Sequence, residues 1–293
     1  MLEGIIIKGI GGFYYVKTEK GIFECRARGV FREKNITPLV GDKVTIRVNE
    51  EDNTGYIEEI FERSSQLIRP PVANVSQAII VMSIKRPNIN YWLLDRFLIM
   101  AEREGLNICV LINKIDLASE DEIKEVETIY TKALYKVLTT STKTKEGINS
   151  LKEVLKNNIT VFAGPSGVGK SSLLNTLHPD FKLKTGAVSK KVDRGNHTTR
   201  HVELLKMDME DTYVLDTPGF SSLSLDFIKE EVELGSYFRE IDKYRHDCKF
   251  TGCLHHKEPN CEVKRQVELG NISKQRYDNY LQFLEELKSS RRY

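Results

Sequence analysis

The fold of this chain is decided by one stretch, Gly164-Pro165-Ser166-Gly167-Val168-Gly169-Lys170-Ser171-Ser172. The stretch fits the phosphate-loop pattern GxxxxGK followed by Ser or Thr, and it lies between an apolar run and an amphipathic helix pattern. Glycines let backbone N–H groups approach phosphate oxygens, and the helix N-terminus adds a favourable dipole. Lys170 is predicted to neutralise the β- and γ-phosphates, and the Ser171 hydroxyl to ligate Mg²⁺. We therefore predict a nucleoside triphosphate site in an α/β domain.

Two more motifs indicate which base is bound. Asn113-Lys114-Ile115-Asp116 matches N-K-x-D, and Ser141-Thr142-Lys143 resembles the companion S-A-K element. Asp116 can accept two hydrogen bonds from guanine that adenine cannot supply, and a buried carboxylate left unpaired is costly. Lys114 is expected to pack over the base, and Asn113 to tie the loop to neighbouring backbone. Both motifs follow strand-like runs, and open α/β sheets bind ligands at the carboxyl ends of their strands, so we predict GTP.

Two elements are predicted to respond to the γ-phosphate. Asp216-Thr217-Pro218-Gly219 matches D-x-x-G, in which Asp216 would hold Mg²⁺ through water and the Gly219 N–H would sense the γ-phosphate. Residues 195–200 read Gly-Asn-His-Thr-Thr-Arg and offer a switch threonine, either Thr198 or Thr199.

The water-orienting residue is less evident. Phe220 stands just after D-x-x-G, where many GTPases carry a Gln, so we expect slow intrinsic hydrolysis that a partner accelerates. His197 is the candidate for orienting the attacking water, and the alternatives are contact with RNA or packing within its own loop.

The order of the motifs is circularly permuted. N-K-x-D and the S-A-K-like element come before the phosphate loop, whereas they ordinarily come last. Cutting and rejoining a chain leaves its sheet and site unchanged when the new ends are exposed. The D-x-x-G segment now leads directly toward the C-terminal region, so the state of the γ-phosphate could be transmitted there.

The flanking regions predict a multi-domain α/β protein. Residues 1–63 form five short strand-like runs, which favours an OB-type β-barrel that either binds RNA or only packs. Residues 64–224 begin with a proline-containing linker and then alternate strands with helices, which predicts a parallel sheet covered on both faces. Residues 225–293 are helical around a cluster of cysteines.

That cluster is Cys248-x₄-Cys253-x-His255-x₅-Cys261. Three thiolates and an imidazole suit tetrahedral Zn²⁺ and leave no position for water, so we predict one structural zinc per chain, with His256 as an alternative ligand. The odd number of clustered cysteines argues against a disulfide framework. Cys25 and Cys109 are predicted to be buried core thiols.

Composition argues against a membrane or secreted protein. The chain has 293 residues and a net charge of +2, and no run reaches the roughly 18 apolar residues of a membrane span. No secretory signal is evident, so we expect a cytoplasmic monomer without a membrane partner. Residues 182–206 carry seven Lys or Arg against two acidic residues, either as a solvated loop or as an RNA contact.

Taken together, the small barrel, the permuted motifs, the D-T-P-G-F stretch and the Cys/His cluster resemble the family of small ribosomal subunit biogenesis GTPases called RsgA, over essentially the whole chain. The resemblance implies a bacterial assembly factor that binds the small (30S) subunit and its 16S rRNA. It also implies GTPase activity stimulated by that subunit, and help in releasing the maturation factor RbfA. His197 matches the candidate catalytic histidine of the family, and Phe220 its apolar replacement for Gln. A nucleotide-gated RNA-binding adaptor, in which hydrolysis is incidental, is the alternative.

Overall fold

The computed structural model describes residues 1–33, 35–49, 51–68, 70–178, 181, 183, 202–215 and 223–290, with the backbone alone at residue 32. The described residues contain thirteen strands: β1 Leu2–Ile10, β2 Phe13–Thr18, β3 Gly21–Ala27, β4 Lys43–Asn49, β5 Thr54–Ile60, β6 Gln66–Leu67, β7 Val72–Ala73, β8 Gln77–Ser83, β9 Asn107–Asn113, β10 Lys136–Thr140, β11 Ile159–Ala163, β12 Leu204–Lys206 and β13 Tyr213–Leu215. The same residues contain eight α-helices: α1 Gly29–Glu33, α2 Tyr91–Arg103, α3 Glu120–Lys132, α4 Ile148–Leu155, α5 Lys170–Leu177, α6 Arg239–Arg245, α7 Glu262–Glu268 and α8 Lys274–Ser290.

The first five strands close into a barrel in the order β1-β2-β3-β5-β4, which confirms the predicted five-stranded architecture. Neighbouring strands are antiparallel except for the parallel pair β3–β5. A register shift between Ile6 and Lys8 bends β1, as closure of a small barrel requires. Apolar side chains fill the interior, and Cys25 is buried among them as predicted.

The predicted linker is instead a short antiparallel hairpin made by β6 and β7. Pro70 and Pro71 lie in its turn, where the missing N–H of proline disturbs no strand pairing. The hairpin is fixed at its base by Arg63, which donates from Nε and Nη2 to the two carboxylate oxygens of the buried Asp42, at 2.7 and 2.8 Å. The join between barrel and sheet is therefore ordered structure.

The central sheet has the strand order β10-β9-β8-β11-β13-β12. All neighbours are parallel except β12, which runs antiparallel to β13, a departure from the wholly parallel prediction. The connection between these two strands is too short for a crossover, and Met207 N–H donates to Thr212 O at 2.9 Å within it. Strand β11, which leads into the phosphate loop, pairs with β8 on one side and with β13, from beyond the loop, on the other.

Both faces of the sheet are covered, as predicted. Alternate residues of β8 point to opposite faces, so Ile80 belongs to one buried apolar cluster and Ile79 to another. The first cluster also takes in α2, α3 and the barrel interior, and the second takes in α4 and α5.

The C-terminal helical region has its own apolar core. It consists of a 3₁₀ helix at Glu231–Tyr237 and helices α6, α7 and α8, packed around Phe238, Tyr280 and Phe283. Ile99 on α2 belongs to the same core, so α2 is the surface on which this region docks. Among all the helices that the structure describes, none is long and apolar enough to cross a membrane.

Candidate nucleotide site and candidate metal centre

The phosphate loop connects β11 to α5, as the motif predicted. Two of its glycines are in positive-φ conformations and pressed against neighbouring chain. A Cβ on Gly164 (φ 141°) would lie 2.1 Å from the Val81 carbonyl oxygen, and one on Gly169 (φ 102°) 2.3 Å from Asn113 Nδ2. Larger residues would force the loop away from β8 and from the N-K-x-D motif.

Lys170 folds back over the phosphate loop from the first turn of α5. Its ammonium group donates to the carbonyl oxygens of Gly164 and Pro165, at 2.8 and 2.7 Å. Burial lowers the pKa of Lys170 below its usual value. A polyphosphate in the loop would act in the opposite direction, because an anion favours the charged ammonium.

The Asn113-Lys114 pair ties the N-K-x-D loop to the phosphate loop. Asn113 Nδ2 donates to Val168 O at 2.8 Å, and Asn113 Oδ1 accepts from the Thr140 hydroxyl at 3.2 Å. Lys114 has a positive φ of 62°, and its Nζ donates to Gly167 O at 2.6 Å. Three chain segments that are distant in sequence are therefore held in one place.

Asp116 is held at the edge of this site by the S-A-K-like element. The buried Ser141 hydroxyl donates to Asp116 Oδ1 at 2.6 Å and accepts from the N–H groups of Lys143 and Thr144, at 3.2 and 3.1 Å. Asp116 itself is exposed. Its carboxylate is thus oriented by a fixed donor while it faces the open side of the loop.

The structure brings the four predicted metal ligands together. Cys248, Cys253, His255 and Cys261 place one ligand atom each within 4.8 Å of the others. Cys248 Sγ lies 3.8 Å from Cys261 Sγ, and both sulfurs lie 3.4 Å from His255 Nδ1. Tetrahedral zinc with ordinary bond lengths requires S···S and S···N separations of about 3.8 and 3.5 Å, so the donor set fits. His256, the alternative ligand, is not in the group.

Burial shifts the pKa values of the candidate ligands. Burial lowers the pKa of His255 to about 4, which keeps the imidazole in its neutral, ligating form. Burial also raises the pKa of the Cys253 and Cys261 thiols, and a bound divalent cation would reverse that direction. Glu258, which no sequence motif marks, accepts from the N–H groups of Leu254 and His256, at 2.9 Å each.

Comparison with known proteins places the nucleotide motifs in a family. The family model of the RsgA GTPase matches residues 60–226, and that of the RsgA N-terminal domain matches residues 3–57. This chain belongs to the RsgA GTPase family. It is therefore a GTPase, as the permuted motifs predicted.

Curated members of the RsgA family match along the full chain. The proteins called "Small ribosomal subunit biogenesis GTPase RsgA" from Alkaliphilus metalliredigens and Caldanaerobacter subterraneus subsp. tengcongensis are 49% and 51% identical to it. The alignments cover 100% of this chain in both cases, and 100% and 98% of the relatives.

Two solved structures share its fold. YloQ, described as a circularly permuted GTPase, is 43% identical with a TM-score of 0.81, over 99% of this chain and 96% of its own. YjeQ from Thermotoga maritima is 40% identical with a TM-score of 0.83, over 98% of both chains.

Several predicted residues of this RsgA-family site lie outside the described residues. They are His197, Thr198, Thr199, Asp216, Gly219 and Phe220, together with most of the basic stretch at 182–206. Their roles stay predictions. The described chain resumes at Val202 and at Leu223.

The structure adds a loop that the motifs did not indicate. Residues 84–90 connect β8 to α2 and lie against the nucleotide motifs. Lys114 Nζ donates to Arg86 O, and a Cβ on Gly167 would lie 3.6 Å from Pro87 Cδ. The Ser83 hydroxyl donates to Pro87 O at 2.7 Å. In the sequence, Pro87 after a buried strand indicates a turn, but it does not indicate that this turn contacts the phosphate loop.

Proposed function

We propose that this GTPase hydrolyses GTP slowly, that the small (30S) ribosomal subunit stimulates it, and that it assists late maturation of that subunit. One observation carries the chemical part: the phosphate loop, Asn113-Lys114 and the Ser141–Asp116 pair meet in one hydrogen-bonded site. The names of the full-length relatives support the ribosomal part.

Guanine recognition would rest on Asp116, with Lys114 against the base and the backbone of residues 141–143 near its oxygen. Asp116→Asn tests this role. We expect GTP affinity to fall about a hundredfold, since hydrogen bonds to a charged group are lost. Xanthosine triphosphate, which has a carbonyl in place of the amine, should bind more tightly than it does to the wild type. Unchanged GTP affinity would contradict the assignment.

The phosphates would lie in the loop 164–172, with Lys170 transferring its hydrogen bonds from loop carbonyls to phosphate oxygens. Ser171, Asp216 and either Thr198 or Thr199 would hold Mg²⁺, and the Gly219 N–H would contact the γ-phosphate. Without a Gln after D-x-x-G, His197 would orient the attacking water. His197→Ala should preserve GTP affinity and lower single-turnover hydrolysis, and unchanged hydrolysis would remove His197 from the mechanism.

The Cys/His cluster would hold one structural Zn²⁺. All four positions are taken by protein ligands, so the ion would support the fold of the C-terminal region and carry no step of hydrolysis.

The proposed partners are those that the resemblance to the family implies. We propose association with 16S rRNA in the small subunit, with the basic stretch at 182–206 contacting phosphate, and a role in releasing RbfA. The working units would be residues 1–63, 64–224 and 225–293 of a cytoplasmic monomer. Association that does not weaken with added salt would argue against the RNA contacts.

Hydrolysis measured with and without purified small and large subunits is the deciding experiment. We expect small subunits to accelerate turnover and large subunits to have no effect. Binding to small subunits without any acceleration would favour the nucleotide-gated adaptor instead.

A further inference from the structure

Helix α2 carries an arginine that joins two separate parts of the chain. Arg96 Nε donates to Leu223 O at 2.5 Å, and its Nη1 and Nη2 donate to the two carboxylate oxygens of Glu286, at 2.7 and 2.6 Å. The guanidinium lies 4.8 Å from the ring centroid of Trp92 and 5.8 Å from that of Phe283. Only 9% of Arg96 is exposed, so its geometry is set by contacts on every side.

The position of Leu223 gives this contact its significance. It is the first described residue after 216–222, the segment that contains D-x-x-G. On the other side of that segment, Leu215 ends β13 in the buried core. The two described residues that flank 216–222 are thus Leu215, at the end of β13, and Leu223, which Arg96 holds. Glu286, the second partner of Arg96, lies on α8 of the C-terminal region.

We propose that Arg96 is a positioning residue for GTP hydrolysis, which fixes the exit of the D-x-x-G segment against the last helix. A guanidinium suits this position because its rigid fork serves a carbonyl and a carboxylate at the same time, whereas a lysine ammonium is a single point donor. The γ-phosphate contact and the C-terminal region are thereby linked through one side chain. The inference rests on the proposed role of D-x-x-G in sensing the γ-phosphate.

The test compares Arg96→Lys and Arg96→Met with a matched control, Arg239→Met. Arg239 also joins the C-terminal region to α2, since its Nε donates to Glu102 Oε1 at 2.6 Å, but neither residue has a described contact with Leu223. Zinc content and the unfolding midpoint of each full-length variant are measured first, so that any general loss of structure is matched between the two sites.

Binding of GDP and of a non-hydrolysable GTP analogue is then measured separately. For both Arg96 variants we expect GDP affinity within about twofold of wild type and analogue affinity reduced roughly tenfold, the equivalent of one hydrogen bond to a charged group. Turnover at saturating GTP should fall ten- to a hundredfold, as for a misplaced catalytic segment. Arg239→Met should leave the preference for the analogue over GDP unchanged.

Glu286→Ala tests the link to α8 while retaining Arg96. We expect the same loss of analogue preference in smaller measure, and no effect would overturn the coupling to the last helix. The proposal itself is overturned if the Arg96 variants keep the preference for the analogue over GDP, as Arg239→Met should. It is also overturned if they lose affinity for GDP and for the analogue equally. A wild-type protein that does not prefer the analogue would instead refute the proposed role of D-x-x-G.

Discussion

The barrel and the C-terminal region are joined to the GTPase sheet in different ways. The barrel shares one continuous apolar cluster with the sheet, which includes Val72 and Val75, and adds a partly exposed ion pair between Lys8 and Glu203 at 3.0 Å. The C-terminal region adds buried charge to its apolar contact with Ile99 of α2. Arg276 donates to Asp95 on α2 at 2.6 Å and to Glu240 on α6 at 2.8 Å, and each of the three is at most 2% exposed.

The two joins should differ in how much stability a substitution costs. Apolar packing is not directional and accepts small changes of shape. A buried ion pair is directional, and losing one partner leaves a charge without compensation. The network around Asp95 is well satisfied, since Tyr130 and Asn279 also donate to it, at 2.9 and 2.6 Å. We therefore expect substitutions at the C-terminal join to lower the free energy of unfolding more than comparable substitutions at the barrel join.

Loss of the metal should have the largest effect, and only on the C-terminal side. Cys253→Ser removes one of four ligands, and zinc coordination contributes on the order of 10 kcal/mol to folding such a domain. We expect loss of bound zinc by metal analysis, and fast amide exchange in α6–α8 with the barrel amides still protected. Cys25→Ser is the control, because that thiol is outside the cluster, and it should retain stoichiometric zinc. Slow exchange in α8 of the metal-free variant would contradict this expectation.

Breaking the buried charge network should come next. Arg276→Met leaves Asp95 and Glu240 uncompensated and should lower the free energy of unfolding by about 3–5 kcal/mol in urea titrations. Adding Asp95→Asn and Glu240→Gln removes the orphaned charges and should recover part of the loss. A single-variant loss below about 1 kcal/mol would mean that the network does not secure the docking.

Trimming the apolar join should cost less. Val72→Ala removes two buried methyl groups and should lower the free energy of unfolding by about 2 kcal/mol. Val72→Ile at the same place is the matched test of tolerance, with an expected loss of about 1–3 kcal/mol because it adds one methylene to a packed apolar site. If Val72→Ile proved as damaging as Arg276→Met, the contrast between the two joins would be lost.

The partly exposed ion pair between Lys8 and Glu203 should contribute least. Lys8 and Glu203 are about one-third exposed, so a double-mutant cycle with Lys8→Ala and Glu203→Ala should give a coupling below about 1 kcal/mol. Added salt should reduce the coupling further. A salt-insensitive coupling above that value would show that this pair helps to hold the barrel.

Short-range patterns were sufficient for much of this protein. The phosphate loop, N-K-x-D and the Cys/His spacing each lie within 14 consecutive residues, so their chemistry is legible along the chain. The alternation of strands and helices also predicted a sheet covered on both faces, and all of its neighbouring pairs except β12–β13 are parallel as predicted. The amino-acid sequence by itself therefore determined the three-part architecture and the class of nucleotide site.

Tertiary structure alone decided the contacts between distant segments. Arg276 meets Asp95 across 181 positions, and Arg96 meets Glu286 across 190. The predicted linker is a hairpin held to the barrel by the Arg63–Asp42 ion pair, and β12 is antiparallel because its connection to β13 is short. No local pattern marks such partners, since a charged residue reads as solvent-exposed until folding buries it beside its counter-charge.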